Sequence, residues 1–193
     1  MIEVINNVDV AILLWLNGNH TPFWDEIMWF ASGKFTWIPF YLFLVVLISY
    51  KYKRKSISML ILIGLLIGIS DFVASGIFKL LVERLRPSHE PSLEGMLHFV
   101  NDYKGGPYGF MSSHAANVFS LAFYITFSTY KKIKWLPYFI IPWAFFVSIS
   151  RIYLGVHYPT DILVPLVFSI PIALFIVFLN KKITNHFYPI TIK

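Results

Sequence analysis

The chain has 193 residues, of which 57% are hydrophobic, 19% aromatic and only 13% charged. This composition excludes an ordinary soluble globular domain, and the lack of cysteine excludes disulfides, thiolate metal sites and cysteine nucleophiles. The net charge of +6 would suit a nucleic-acid partner, and the positions of the basic residues test that interpretation.

The amino-terminal part predicts two short helices. Residues 8–16 are apolar but too few to cross a bilayer, which takes about 20 residues, so they predict a short interfacial helix. Thr21-Pro22 followed by Asp25 predicts the start of a second helix, with a cap, a proline at the first position and an acid in the first turn. We expect Gly33 to interrupt that helix.

Five apolar runs follow. Four come close to or reach the length of a span, and the fifth is shorter and contains two prolines, which membrane helices tolerate. In chain order the runs are residues 35–50, 57–82, 115–130, 135–150 and 162–179. The predicted fold is all-α: a polytopic membrane helix bundle with five to six transmembrane helices and a short interfacial amino-terminal helix, forming a single domain over residues 1–193.

The basic residues gather between these runs. They form three groups, at residues 51–55, 131–134 and 181–182, and following the chain through its spans puts all three on one side of the bilayer. The positive-inside rule assigns that side to the cytoplasm. The charge therefore indicates topology rather than a nucleic-acid partner, and the segments 83–114 and 150–161 are expected to face outward.

The first outward segment reads K-L-L-V-E-R-L-R-P, Lys79 to Pro87. Lys79 and Arg86 are two helical turns apart, so both project from one face if the helix continues, and together they could bind one anion. Alternatively, the basic residues snorkel at the membrane edge, with Glu83 paired to Lys79 at i+4.

The second outward segment reads S-R-I-Y-L-G-V-H-Y-P-T-D, Ser150 to Asp161. Tyr158-Pro159 indicates a helix start, so Asp161 could reach the imidazole of His157 one turn away. A carboxylate on one ring nitrogen makes the other nitrogen a better nucleophile or base. Alternatively, His157 is an interfacial residue and Asp161 serves the helix amino terminus.

A third polar group, Ser112-Ser113-His114, precedes an apolar run. A serine here predicts a helix cap, and a helix amino terminus is also an anion site. The three segments together bring the cations Lys79, Arg86 and Arg151 to one membrane face without enough carboxylates to neutralise them. They predict a site for an external anion such as phosphate, and two histidines make transfer chemistry a better prediction than simple binding.

At these residues the chain resembles the type 2 phosphatidic acid phosphatase superfamily of integral membrane lipid phosphatases. The family signatures K-x6-R-P and S-R-x5-H-x3-D are matched fully by residues 79–87 and 150–161. The third, P-S-G-H, is matched at residues 111–114 with Met111 for proline and Ser113 for glycine, which puts the local backbone shape and the substrate preference in doubt. The resemblance covers about residues 57–180.

The resemblance implies that His157 attacks phosphorus while Asp161 holds it, and that His114 protonates the leaving oxygen. It further implies that Lys79, Arg86, Arg151, Ser112 and Ser113 bind the phosphate, without a metal or another cofactor. The linker between Ser88 and Phe110 predicts a lid.

One residue outside the signatures is a further candidate. Asp71 lies on a helical stripe with Gly64, Gly68, Ser75 and Lys79. We expect this stripe to face the bundle interior, with the glycines allowing close helix packing and Asp71 holding a neighbouring helix, or alternatively contacting substrate.

The expected partners are the bilayer and a phosphorylated membrane lipid, and no obligatory protein partner is predicted. Undecaprenyl pyrophosphate is slightly favoured as substrate; the alternatives are lipid A, phosphatidylglycerophosphate and phosphatidic acid. A phosphate-lipid transporter and a vanadate-type peroxidase are the rival functions. The predicted location is the bacterial inner membrane, with the site facing outward.

Overall fold

The computed structural model describes residues 2–187, with side chains from Val4 onward. Within that range every regular element is helical, apart from an isolated bridge between Leu85 and Tyr108. The α-helices, in chain order, are α1 (Ile2–Gly18), α2 (Pro22–Ser32), α3 (Ile38–Tyr52), α4 (Ser56–Asp71), α5 (Lys79–Val82), α6 (Ser113–Thr129), α7 (Pro137–Tyr153) and α8 (Thr160–Phe187). The all-α prediction is confirmed at this level.

Helix α2 begins and ends where its capping residues predict. The Thr21 side chain accepts a hydrogen bond from the Trp24 N–H, and Pro22 occupies the first turn, where its missing N–H has no cost. Gly33 follows the last helical residue. The predicted cap and the predicted interruption are both confirmed.

Two helical stretches, residues 38–82 and 160–187, are long and apolar enough to cross a membrane. The first is not one continuous helix, because Lys53, with φ of 51°, ends α3 and a 3-10 turn at Lys53–Lys55 leads into α4. A π-helical segment, Phe72–Phe78, lies between α4 and α5. Large apolar side chains on the outside of the bundle are exposed, including Leu42, Val46 and Val167. Such a surface is suited to lipid contact. The number of spans, five or six, stays a prediction.

Helix α6 is the centre of the bundle and packs against α4, α7 and α8. Its Phe119, Tyr124 and Ile125 are fully buried in the main apolar core. Burying one large apolar side chain stabilises a soluble fold by roughly 1.5–3 kcal/mol, but helices in lipid gain mainly from close packing and hydrogen bonding. The core therefore holds the first turn of α6 in a fixed position relative to the neighbouring helix ends.

The basic loops lie at one end of the bundle. Lys132 Nζ donates to the carbonyl of Lys51 over 3.5 Å, and the Tyr52 hydroxyl donates to the carbonyl of Ser128 over 3.1 Å. The loops after α3 and α6 thus meet, as the topology prediction requires. The signature residues occupy the opposite ends of the same helices.

The helix that carries Lys79 does not continue to Arg86. It ends at Val82, and Glu83 has a left-handed backbone with φ of 48°. The prediction that the two cations share a helical face is therefore wrong. In place of another helical turn, the chain pairs with the loop before α6: the Arg86 N–H donates to the Pro107 carbonyl over 2.8 Å, and the Gly109 N–H to the Arg84 carbonyl over 2.9 Å.

Candidate active site

A polar cavity of about 460 Å³ opens at the end of the bundle away from the basic loops. It brings together residues from five parts of the chain, and its wall includes most of the predicted site. The wall includes the polar side chains of Lys34, Asp71, Ser75, Lys79, Arg86, Tyr103, Ser113, His114, Asn117 and Arg151.

His157 and Asp161 form a buried pair next to this cavity. The Nδ1 of His157 lies 3.3 Å from Oδ2 of Asp161, and the same oxygen accepts the Tyr158 N–H over 3.0 Å. The helix start after Pro159 creates this contact, as the spacing of four residues predicts. With Nδ1 directed at the carboxylate, Nε2 is the nitrogen left for chemistry.

His157 is 1% exposed and is not in the cavity wall, whereas His114 is. Burial lowers the pKa of His157 well below its ordinary value of 6.5, and the charges of Arg86, Arg151 and Lys79 lower it further. The imidazole is therefore neutral at physiological pH, which is the state a nucleophilic histidine requires.

Arg86 and Arg151 are buried cations with incomplete hydrogen bonding. Arg86 Nε donates to the Tyr108 carbonyl over 3.1 Å, but its Nη1 has no hydrogen-bond partner within the described residues. The Nε of Arg151 likewise finds none there. Buried charged donors without partners are costly. Both side chains line the cavity, and an oxyanion is the kind of ligand that guanidinium donors bind.

Tyr103 connects the predicted lid to the cations. Its hydroxyl accepts a hydrogen bond of 3.1 Å from Nη2 of Arg151, while Nη1 of Arg151 donates to the hydroxyl of Ser32. Burial raises the pKa of Tyr103, but Arg151, Arg86 and Lys34 together more than offset that effect, so the pKa lies below the ordinary value of 10.0. Sequence reasoning predicted a lid here but did not single out this residue.

The two serines of the segment that matches P-S-G-H have different surroundings. Ser113 lines the cavity, and its hydroxyl lies 2.6 Å from that of Ser75. Ser112 is fully buried: its N–H donates to the Asp161 carbonyl over 2.9 Å, and its side chain caps α6 by accepting the Ala115 N–H. Of the two, Ser113 is the one placed to meet an anion, because the N–H and hydroxyl of Ser112 are already engaged.

The helical stripe through Asp71 does not show the close packing and the regular register that the sequence predicts. A Cβ atom at Gly64 or Gly68 would have nothing within 4 Å, so the glycines do not support close helix packing. The π-helical segment shifts the register between Asp71 and Lys79. Asp71 does contact a neighbouring helix, since its Oδ1 accepts from Nδ2 of Asn117 over 3.3 Å, but it also lines the cavity.

An apolar groove of about 420 Å³ adjoins the polar cavity. It is formed by α3, α4 and α6, and it shares Tyr41, Asn117 and Val118 with the wall of the cavity. Its other lining residues are aliphatic: Leu44, Val45, Ile48, Leu60, Ile63, Ile67, Leu121 and Ile125. A molecule with an anionic head and an apolar chain could occupy both spaces at once.

Two residues of the site were missed by sequence reasoning. Arg84 lies in the variable part of the first signature, and its Nη1 is 3.3 Å from Oδ1 of Asp161. Asp9 of α1 forms an ion pair of 2.8 Å with the same guanidinium. The sequence did contain a signal for Asp9, because a carboxylate within an apolar stretch of a membrane protein indicates a charged partner or a functional role.

Comparison with known proteins gives the context of this geometry. Residues 58–184 match the model of the PAP2 superfamily. The chain is 39% identical over 164 residues to a lipid A 4′-phosphatase of Bacteroides thetaiotaomicron, covering 84% of this chain and 72% of the relative. It is 35% identical over 164 residues to a lipid A 4′-phosphatase of Porphyromonas gingivalis, covering 83% and 68%.

Among solved structures, the fold is similar to a transmembrane PAP2-type phosphatidylglycerolphosphate phosphatase from Bacillus subtilis. The TM-score is 0.67 at 23% identity, with 97% of this chain and 89% of the other covered. This similarity supports the membrane bundle and its chain path.

Proposed function

This chain belongs to the PAP2 superfamily and is an integral membrane lipid phosphatase, and we propose that its substrate is lipid A, from which it removes the 4′-phosphate. The similarity to two lipid A 4′-phosphatases, each over more than four-fifths of the chain, is the observation that carries the choice of lipid. It favours lipid A over undecaprenyl pyrophosphate, which the sequence alone slightly favoured. A transporter or binding protein is not supported, since these relatives are enzymes.

The polar cavity and the apolar groove adjoin each other, which supports a lipid substrate. The phosphate would enter between Lys79, Arg86 and Arg151, while an acyl chain would lie against the aliphatic residues of the groove. Tyr41, Asn117 and Val118 mark the junction between the two. This arrangement lets the rest of the lipid stay in the bilayer while its headgroup reacts.

In the proposed reaction Nε2 of His157 attacks the 4′-phosphorus. The new N–P bond forms as the bond from phosphorus to the sugar oxygen breaks, and His114 gives its proton to that oxygen. Asp161 accepts the Nδ1–H of His157 and stabilises the cationic ring.

Water then completes the cycle. It attacks the phosphohistidine while His114 removes its proton, so the N–P bond breaks and inorganic phosphate is released. Lys79, Arg86, Arg151 and Ser113 hold the equatorial oxygens during both steps, as phosphoryl transfer chiefly requires electrostatic stabilisation. Ser112 would contribute by capping α6 and fixing Asp161.

The location follows from the same reasoning. The basic loops lie together at one end of the bundle, and the positive-inside rule favours the cytoplasm for that end. The site at the other end would then face outward from the bacterial inner membrane.

A phosphate-release assay with the purified protein in detergent tests the proposal. The substrates are bis-phosphorylated lipid A, undecaprenyl pyrophosphate, phosphatidylglycerophosphate and phosphatidic acid. We expect the highest kcat/KM with lipid A and, by mass spectrometry, a product that has lost only the 4′-phosphate. His157→Ala serves as the inactive control. A higher kcat/KM with another lipid, or loss of the 1-phosphate, would refute the assignment.

A further inference from the structure

A buried ion pair connects the amino-terminal helix to the segment that carries Arg86. Asp9 is 1% exposed, and its Oδ2 lies 2.8 Å from Nη2 of Arg84. Asp9 lies outside residues 58–184, which match the family model. The ion pair is therefore built partly from a region that the family signatures do not cover.

Arg84 also contacts the helix that carries Asp161. Its Nη1 donates to Oγ1 of Thr160 over 2.7 Å and lies 3.3 Å from Oδ1 of Asp161. The guanidinium packs over the ring of Tyr158, with its central carbon 4.0 Å from the ring centroid. A planar group with fixed donors, stacked on an aromatic ring, has little freedom to rotate.

Asp9 also holds the start of α8 directly. Its Oδ1 accepts the N–H of Thr160 over 2.9 Å, and its Oδ2 accepts the Thr160 hydroxyl. The N–H groups in the first turn of a helix have no partner within the helix. Asp9 satisfies one of them next to Asp161, so α1 fixes the turn on which the carboxylate lies.

We propose that Asp9 and Arg84 are positioning residues that hold Asp161 in the orientation that His157 requires. Asp161 uses Oδ2 for His157 and Oδ1 for Arg84, so its carboxylate plane is set by two partners. Asp9 lies 2.8 Å from the guanidinium of Arg84 and Asp161 lies 3.3 Å from it, so Asp9 is the nearer of its two carboxylate partners. Without Asp9, Arg84 would pair fully with Asp161 and compete with the imidazole for it.

This inference rests on the proposed role of His157, but it does not depend on which lipid is the substrate. The experiment therefore uses whichever of lipid A and dioctanoyl phosphatidic acid the wild-type enzyme turns over, and it measures phosphoenzyme formation in a single turnover. If the wild-type enzyme turns over phosphatidic acid but not lipid A, the result counts against the proposed substrate and not against this inference.

Asp9→Asn removes the charge and keeps the shape of the side chain. We expect kcat and the rate of phosphoenzyme formation to fall by roughly tenfold, with KM within about twofold of wild type, because the chemical step is affected and phosphate binding is not. Arg84→Lys keeps a charge for Asp9 but cannot reach Thr160 and Asp161 together, so a similar fall is expected. Asn6→Ala is the matched control: Asn6 is exposed on the same helix, and its Oδ1 accepts from Arg84 at 3.3 Å.

The deciding measurement repeats Asp9→Asn and Arg84→Lys in an Asp161→Asn background. If both residues act through Asp161, neither change lowers the rate further there. The same fold-loss in both backgrounds would overturn the proposal, and so would wild-type kcat in the two single variants. Thermal unfolding in detergent identifies any variant that does not fold. If Asp9→Asn is lost in this way, Arg84→Lys decides alone.

Discussion

Lys79 donates a hydrogen bond of 3.3 Å from its Nζ to the hydroxyl of Ser113. The family signature has glycine at this position, so the signature does not include this contact within the proposed phosphate site. The Ser75 hydroxyl, 2.6 Å from that of Ser113, fixes the serine from the other side. The ammonium group is thus held at the cavity wall by a side chain that the family pattern lacks.

Ser113→Gly should weaken substrate binding. The change removes a hydroxyl from the cavity wall and releases Lys79 from its partner, and a hydrogen bond of this kind contributes about 1 kcal/mol, or roughly a fivefold rise in KM. Steady-state phosphate release measures the effect. Ser75→Ala is the comparison: it removes the support of Ser113 but leaves its hydroxyl, so its KM should rise less. An unchanged KM in Ser113→Gly would contradict a role in binding.

The sequence predicted the helices and the signature residues because both depend on local patterns. Apolar runs and capping residues predict α2, α6 and α8, and the spacing of four residues brings Asp161 in the first turn of α8 to His157 just before that helix. The relation between Lys79 and Arg86 was predicted wrongly because the left-handed residue Glu83 ends the helix between them. A left-handed glutamate has no clear sequence signal.

Contacts between distant segments could not be predicted in the same way. The approach of Asp9 to Arg84 depends on how α1 packs near the start of α8, and that packing leaves no periodic pattern in the sequence. The π-helical segment, which changes the direction of Asp71 relative to Lys79, is a small departure from α-helical geometry, and its residues F-V-A-S-G-I-F do not distinguish it from an α-helix.

Ionisation of Tyr103 should weaken substrate binding at alkaline pH. Its pKa lies below 10.0, so its phenolate forms at a lower pH than that of an ordinary tyrosine. The negative charge would neutralise Arg151 and repel the substrate phosphate, and KM should therefore rise as pH increases through that pKa. Measuring KM against pH for wild type and Tyr103→Phe tests this. The alkaline rise should be absent in the variant; an identical rise in both would refute it.

His157 should make the folded protein less stable in mild acid. Its pKa in the folded state is well below 6.5, the ordinary value that applies when the chain is unfolded. Below pH 6.5 the unfolded chain binds a proton that the folded protein does not, so the free energy of unfolding falls as pH falls. Thermal unfolding in detergent from about pH 7.5 to about 5.5 measures the slope. His157→Gln should show a shallower decrease, and equal slopes would contradict the argument.

Phosphate release should be independent of divalent metal ions. Lys79, Arg86 and Arg151 line the cavity and supply the positive charge that would otherwise come from a metal ion. We expect the activity in excess EDTA to stay within about twofold of the untreated enzyme, since no step uses a bound ion. Loss of activity in EDTA, restored by added Mg²⁺ or Zn²⁺, would show that the cations are not sufficient.

The ion pair between Asp9 and Arg84 has an evolutionary consequence. Its members are separated by 75 positions in the chain, yet a change of Arg84 alone would leave Asp9 as an uncompensated buried charge, and a change of Asp9 alone would turn Arg84 fully to Asp161. The two positions should therefore vary together among relatives. Lineages that lose the arginine should also lose the acid on the first helix, and some other group should then orient the carboxylate beside the nucleophile.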